Sequence, residues 1–134
     1  MTTPDCTGVN PPAWSQDLGF DQGQLRTAPQ AVLTIAAQGP LDAQGRLLHE
    51  DDPAAQLALA MANLESVLAG AGLGPGDLAQ LRLYTTDMQA ALAVRDTLVE
   101  RLAEFGARPP TTLVEVSRLP VPGMTMALEA LAMR

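Results

Sequence analysis

Apolar residues recur with the period of a helix in two stretches of the chain. In the first stretch they stand 4, 3 and 4 positions apart, on one helical face: Leu57, Met61, Leu64 and Leu68. Asp52-Pro53 is suited to begin this helix, because aspartate caps helices and proline fits the first turn; Gly70 and Gly72 are suited to end it. A second helix is predicted to follow a capping box at Thr86-Asp87-Met88-Gln89 and to end at Gly106. Its predicted inward side chains are Leu92, Val99, Leu102 and Phe105.

Other stretches have the composition or the period of a strand. The partly β-branched run Ala31–Gln38 predicts a buried strand. A half-buried strand is predicted where alternate residues are apolar or small, at Leu81, Leu83 and Thr85. Two more strands are predicted at about 111–117 and 123–132, joined by the proline-containing loop Leu119–Gly123. The order β-(β)-α-β-α-β-β predicts an α+β two-layer domain, with two helices on one face of a single mixed sheet.

The last predicted strand has apolar residues on both of its faces. One row consists of Met124, Met126, Leu128 and Ala130. The other row is Ala127, Leu131 and Met133. One layer of helices covers only one of these rows, and large exposed apolar faces are rare on monomers. The pattern therefore predicts a homo-oligomer.

Length, charge and cysteine content narrow the class of protein. The 134 residues allow one hydrophobic core, predicted at 14–134 after a loose leader at 1–13. No apolar run is long enough to span a membrane, and the N-terminus has no secretory signal. The net charge of −7 argues against a nucleic-acid partner, since phosphate binding needs clustered positive charge. The single cysteine, Cys6, excludes an internal disulfide and predicts a cytoplasmic protein.

Missing residue types exclude several kinds of chemistry. The chain contains no lysine, which excludes Schiff-base catalysis, a pyridoxal-phosphate lysine and a phosphate-loop lysine. His49 is the only histidine and, with Cys6, does not make up a zinc site. His49 is predicted to be a solvated loop residue, and Cys6 a bystander rather than a nucleophile. We therefore expect neither a metal nor a cofactor.

Five segments, in this order, carry a family pattern. The first is Ala36-Ala37-Gln38-Gly39-Pro40-Leu41-Asp42, and the second is the series Gln56, Asn63, Leu64, Val67, Leu68, Ala71 and Gly72. The third is Tyr84-Thr85-Thr86-Asp87-Met88. The last two are Pro110–Pro120, which contains Val114-Glu115-Val116 and Leu119-Pro120, and Met126–Ala132. Over about 14–133, the chain resembles the reactive intermediate deaminases, the Rid or YjgF-like family.

This resemblance implies a fold, an assembly and an activity. Rid proteins are trimers with a chorismate-mutase-like fold, and their ligand clefts lie between subunits. Their deaminases hydrolyse 2-iminoacids or enamines to 2-ketoacids and ammonia without a cofactor. Older labels in the family include ribonuclease and translation inhibitor. The acidity of this chain and its lack of a histidine pair argue against a ribonuclease.

Two side chains of the deaminase chemistry are missing from the pattern. Thr111 stands where the family's deaminases have the arginine that grips the substrate carboxylate, and Ala127 stands at their first glutamate. Glu129 is retained, but it stands some 7 Å further along the strand at ~3.3 Å per residue. The resemblance thus implies a divergent member that binds a small metabolite, with deaminase activity reduced or lost. The alternative is an active imine or enamine deaminase that acts on an unusual substrate.

The resemblance also indicates which residues line the cleft. The candidates are Phe20, Ala36, Ala37, Arg95, Thr111, Leu113 and Ala127, around a carboxylate or imine ligand. Arg95 or Arg108 could replace the missing arginine, although each could equally be a solvated or ion-paired charge. Phe20 could be core or pocket wall, and Trp14 could be core or a cover for the cleft. Arg118 is predicted to pair at an interface or at the sheet edge.

Overall fold

The chain forms two helices packed on a four-stranded sheet, with a separate two-stranded hairpin. The computed structural model describes residues 6–11 and 18–134. The elements are β1 (Cys6–Val9), β2 (Gly23–Arg26), β3 (Val32–Gln38), α1 (Pro53–Gly70), β4 (Leu78–Thr85), α2 (Met88–Ala103), β5 (Thr111–Glu115) and β6 (Met126–Met133). The large sheet has the order β3-β6-β4-β5; β4 and β5 are parallel, and the other pairs are antiparallel. The predicted α+β two-layer fold is confirmed. None of the helices in the described ranges has the length and apolar character needed to cross a membrane.

The hairpin formed by β1 and β2 was not apparent from the sequence pattern. Cys6 pairs with Arg26 and Val9 with Gly23 across this antiparallel ladder. Cys6–Val9 lies inside the segment predicted to be a loose leader. Its Thr and Gly residues do not give the alternation of apolar and polar positions that indicates a strand. Trp14, for which core and cover were both considered, lies outside the described residues.

Alternation in the central strands produces one buried face and one open face of the sheet. In β6, the row Met126, Leu128, Ala130 and Ala132 is buried beneath the helices. The predicted inward face of α1 is buried too, with Leu57, Leu64 and Leu68 fully enclosed. Each such leucine contributes roughly 1.5–3 kcal/mol by leaving water. We call the helix-covered side of the sheet the helix face, and the other side the open face.

The predicted start of α1 is confirmed, whereas the predicted capping box of α2 is not. Asp52 caps α1, because its carboxylate accepts a hydrogen bond from Ala55 N at 3.1 Å. The capping box predicted to begin at Thr86 was wrong: Asp87 is the N-cap of α2 and accepts from Ala90 N at 3.2 Å. An acidic side chain from β5 also contributes, since Glu115 Oε1 accepts from Met88 N at 2.9 Å.

The predicted inward face of α2 was partly wrong. Leu102 is buried as expected, but Leu92 is 54% exposed and Phe105 is 45% exposed. The buried positions of the helix are Ala91, Leu98 and Leu102, spaced by 7 and 4 residues along one face. Leu92 is one position, about 100°, away from that face. Phe105 follows the end of the helix and packs its ring under the Arg101 guanidinium, 4.9 Å from the ring centroid.

Two amide side chains, the buried Gln56 and the half-buried Asn63, connect α1 to the loops at the end of the sheet. Gln56 donates from Nε2 to His49 O at 3.2 Å and to Gly123 O at 3.0 Å. Its Oε1 accepts from Thr125 N at 2.8 Å, directly before β6. Asn63 Nδ2 donates to Gly39 O at 2.8 Å, in the turn after β3. These bonds fix the loops that lead into and out of the strands bearing the candidate residues.

Candidate functional site

Four of the seven candidate cleft residues lie around one pocket between α2 and β5. Phe20, Arg95, Thr111 and Leu113 all line this pocket, on the helix face of the sheet. The segment that holds Phe20 reaches α2 because Gly19 has a φ of +80° and no side chain. A Cβ at Gly19 would overlap the Val99 side chain. The sequence analysis named these four residues as candidates for one cleft but did not name Gly19. A glycine at this position could have indicated a backbone with positive φ, which glycine adopts more readily than other residues.

The pocket is narrow in a single chain. Its volume is about 20 Å³, which is room for one water. Arg95 helps to close it, because Nη1 donates a hydrogen bond to Leu18 O at 3.2 Å. The guanidinium therefore lies against the segment that precedes Phe20. A ligand larger than water has to lie at the mouth of the pocket or displace this segment.

Thr111 begins β5, the edge strand of the sheet. Its backbone pairs with Leu81 of β4, whose side chain is fully buried on the helix face. The Thr111 hydroxyl donates to Pro109 O at 2.9 Å. Its one proton is thus already engaged, and the residue brings no positive charge toward an anionic ligand.

The other three candidates lie elsewhere in the chain. Ala127 is buried and pairs with Tyr84, which alternation places on the open face of the sheet. Ala36 lines a second depression, of about 460 Å³, on the same open face. Ala37 is exposed at the irregular end of β3. Thr111 and Ala127 therefore lie on opposite faces of one sheet.

A polar cluster on the open face was not anticipated from the sequence. Glu129 Oε1 accepts a hydrogen bond from Tyr84 OH at 2.8 Å and from Arg82 Nη1 at 3.3 Å. The bond to Glu129, followed by interactions with Tyr84, raises the pKa of Arg82 above its ordinary value. Alternation within β4 places Arg82 and Tyr84 on one face, whereas the position of Glu129 on the same face depends on how β6 pairs with β4. Their contact depends on the register that pairs Arg82 with Glu129, which the sequence does not reveal.

The remaining candidate charges do not line the pocket of Thr111. Arg108 Nη2 donates to Phe20 O at 3.3 Å, and its Nε lies 3.6 Å from Asp21 Oδ1. Arg118 is exposed in the loop between β5 and β6. His49, predicted to be a solvated loop residue, is exposed. Within residues 6–11 and 18–134, no group of three or more His, Cys, Asp or Glu side chains is placed to hold a metal ion.

Known proteins with the same sequence pattern and fold exist. The sequence profile of the family described as Endoribonuclease L-PSP matches residues 23–134. TdcF of Escherichia coli strain K12, named as a candidate reactive intermediate deaminase, is 27% identical over 130 residues, 94% of this chain and 88% of TdcF.

Two solved structures extend the comparison. YyfB of Yersinia pestis, a protein of unknown function in the conserved Rid family, superposes with a TM-score of 0.87 at 28% identity, over 97% of this chain and 99% of YyfB. E. coli TdcF with bound serine gives a TM-score of 0.70 at 24% identity, over 100% and 97% of the two chains. Since the family profile covers most of the residues, this chain belongs to the Endoribonuclease L-PSP family, that of the Rid or YjgF-like proteins.

Proposed function

We propose that this chain is a divergent Rid protein that forms a cytoplasmic homotrimer and binds a small metabolite, a carboxylate or imine, in clefts between subunits. In this proposal, hydrolysis of 2-iminoacids is reduced or lost. Support comes from the two positions where the family's deaminases carry their arginine and first glutamate. Thr111 and Ala127 occupy these positions in this sequence.

The observation that carries the proposal is the placement of these residues on opposite faces of the sheet. Thr111 belongs to the row of Leu81, which the helices cover. Ala127 belongs to the row of Tyr84, on the open face. One chain cannot direct both side chains at one ligand. A second copy, docked by its open face near the edge strand β5, can supply the second residue.

The side chains at the two positions have little capacity for the deaminase reaction. An arginine grips a carboxylate with two charge-assisted hydrogen bonds, each worth roughly 1.5–3 kcal/mol. The Thr111 hydroxyl offers at most one neutral bond, and only after it leaves Pro109 O. The loss of both prongs is expected to weaken carboxylate binding by about two decades or more. Ala127 has no group that orients or activates water.

The open face supports the assembly part of the proposal. It carries Leu131 and Met133 of β6 and Val32 of β3, and Val32 is 56% exposed in the single chain. The helices do not reach this side. An uncovered apolar sheet face of this kind is usually an interaction surface. A closed ring of three copies would cover it.

The direct test is an imine hydrolysis assay. 2-Iminopropionate is generated in situ, and ketoacid release is compared with and without the protein and with an arginine-bearing Rid protein. We expect release no faster than in the protein-free control. Carboxylate binding is measured in parallel by calorimetry with pyruvate, benzoate and serine; serine is included because the TdcF structure holds it. Turnover equal to that of the arginine-bearing protein would refute the loss of activity.

A mixing experiment tests whether two chains form one cleft. The variant Thr111→Arg with Ala127→Glu restores both side chains and is expected to gain measurable turnover. Each single variant is expected to have little, because groups that act as a unit are not additive. When the two single variants are co-expressed in equal amounts, random assembly completes about a quarter of the clefts. Activity near a quarter of that of the double variant supports a shared cleft, whereas activity at the level of the single variants contradicts it.

A second candidate function, an active deaminase on an unusual substrate, is favoured by Arg95. This residue lines the same pocket as Thr111 and brings a guanidinium to it from α2. If Arg95 replaces the missing arginine, Arg95→Gln should weaken carboxylate binding at least about tenfold. Arg118→Gln, in an exposed loop, is the matched control. Equal affinity in wild type and both variants would exclude this second function.

A further inference from the structure

A cavity separate from the pocket of Thr111 and from the open-face depression lies at the end of the sheet where β4 begins and β6 ends. Its volume is about 580 Å³. It is bounded by the β1–β2 hairpin, the turn Pro75–Asp77, the segment after α2 and the end of β6. It shares no lining residue with the pocket of Thr111. Neither the family resemblance nor the proposed cleft assigns it a role.

Three guanidinium groups line this cavity, and two of them have a carboxylate partner. Arg134 Nη2 lies 3.0 Å from Asp77 Oδ2. Arg108 Nε lies 3.6 Å from Asp21 Oδ1. Arg26 forms no ion pair with any residue that the structure describes. Among the side chains that line the cavity, guanidinium groups thus outnumber carboxylates by one, in a chain whose net charge is −7.

The Arg26 side chain is held firmly, but by neutral acceptors. Nη2 donates to Leu78 O at 2.9 Å and to Gln24 Oε1 at 3.1 Å, and Nη1 donates to Met133 O at 3.3 Å. Of the five N–H groups of a guanidinium, this leaves Nε and one N–H of Nη1. Nε is buried without a partner among the described residues. Arg26 is therefore a fixed, partly desolvated cation that no carboxylate of the described residues pairs with.

A partly desolvated charge without a counter-ion is unfavourable, and an anion beside it removes that penalty. Three features favour an anion here: the excess of guanidinium over carboxylate side chains, the fixed guanidinium of Arg26 and a cavity within the usual size range of small-molecule sites. A guanidinium accepts carboxylate and phosphate oxygens in the same way. We propose that this cavity binds a small anionic metabolite, whose carboxylate or phosphate group pairs with Arg26.

The test measures anion binding at constant ionic strength. Inorganic phosphate and citrate are titrated by calorimetry and by thermal shift, with sodium chloride holding the ionic strength so that general screening does not contribute. We expect saturable binding of at least one probe, weakened at least about tenfold in Arg26→Gln through the loss of its charge-assisted bonds. Arg118→Gln is the matched control and should bind as wild type does. The preferred probe separates a phosphate site from a carboxylate site.

A second variant keeps the proposal testable if Arg26→Gln does not fold. Cys6 lines the cavity and stands directly opposite Arg26 in the β1–β2 ladder. Cys6→Glu should supply the missing carboxylate, since directly paired side chains on neighbouring strands are in contact. It should raise the unfolding temperature without anion and abolish anion binding. Thr7→Glu, paired with Leu25 on the same strand, is the control and should do neither.

Two results would overturn the proposal. One is the absence of any phosphate or citrate binding by the wild type up to about 10 mM, an affinity too weak to be specific. The other is binding of equal strength in wild type, Arg26→Gln and Cys6→Glu. Because the proposed cleft shares no residue with this cavity, neither result bears on the imine assay.

Discussion

The fully buried amide of Gln56 allows a quantitative prediction about stability. Its Nε2 donates to His49 O and Gly123 O, and its Oε1 accepts from Thr125 N at 2.8 Å and from Thr125 Oγ1 at 3.0 Å. Gln56→Met preserves the length and approximate volume of the side chain but makes none of these bonds. The substitution therefore removes polar contacts while it leaves the packing of α1 nearly unchanged.

The expected loss of stability in Gln56→Met follows from the groups that lose a hydrogen-bond partner. A buried polar group without a partner costs about 1–3 kcal/mol. His49 and Gly123 are exposed residues, so water can replace the amide at their carbonyl groups. Thr125 is only half-exposed, and its N–H and hydroxyl both lose their acceptor. We expect a loss of about 2–4 kcal/mol in the free energy of unfolding, or roughly 10 °C in Tm for a chain of this size.

The assay is urea unfolding followed by circular dichroism, at one fixed protein concentration because assembly changes apparent stability. Gln89→Met is the matched control, since it makes the same chemical change at an exposed position of α2. It should change the free energy of unfolding by no more than about 0.5 kcal/mol. A Gln56→Met protein as stable as this control would show that the buried amide does not hold the loop before β6, and the reasoning would fail.

Three further predictions concern assembly, ligand binding and pH. Leu131→Glu, on the open face, should shift the protein toward the 14.0 kDa monomer in light scattering, because a charge in an apolar interface is costly; an unchanged mass would contradict this. Thr111→Arg should tighten pyruvate or benzoate binding in calorimetry by about tenfold or more with little gain in turnover; equal affinity would show that Thr111 does not face the ligand. Hydrogen bonds, first from Arg46 N and also from Gln44 N and the Arg46 side chain, lower the pKa of Asp42 below 3.8. The stability that Asp42 contributes should therefore be present above pH 3.8 and be lost as the pH falls through the lowered pKa. The urea midpoints of wild type and Asp42→Asn should converge in acid. A difference between the two midpoints that does not change with pH would refute this.

Local periodicity was sufficient to predict much of the fold. The inward apolar residues of the 18-residue helix α1 repeat at helical intervals from Leu57 to Leu68, so a single helical face accommodates them all. The two rows of β6 follow from strict alternation, and the row that begins at Met126 is the one the helices cover. In both elements the evidence lies within one segment of sequence. No knowledge of neighbouring segments was needed.

Features that depend on pairing between distant segments could not be predicted in the same way. The partner of β1 is β2, which lies beyond a long connection. The sequence of β1 itself contains Thr and Gly and shows no regular spacing of apolar residues. The face of α2 was misassigned because Leu92 and Phe105 are apolar, while the helix packs through the smaller Ala91 as well as Leu98 and Leu102. Apolar character alone does not identify the inward side of a helix with few large residues. Packing against the rest of the fold determines which side of α2 faces inward.

The candidate site shows the same limit. The sequence indicated Thr111 and Ala127 as the positions of chemistry, but not that they lie on opposite faces of one sheet. That relation follows from two registers, Leu81 with Thr111 and Tyr84 with Ala127, each between strands distant in sequence. Since a one-residue slip in either register would reverse a face, alternation within a single strand could not have revealed it. The family resemblance implies a cleft shared between chains, and the placement of Thr111 and Ala127 on opposite faces supports that proposal.

The residues that carry the family resemblance have structural roles that explain their presence without catalysis. Gln56 and Asn63 hold loops, Asp87 caps α2, and Tyr84 donates to Glu129. Each of these contacts joins two groups of the chain itself, so its presence does not by itself indicate catalysis. Family membership in this chain is therefore evidence for the fold, while the proposed loss of activity depends on Thr111 and Ala127. Under the proposed function, a group that replaces the family's arginine has to come from another element or another chain, and Arg95 is the charged side chain among the described residues that line the pocket of Thr111.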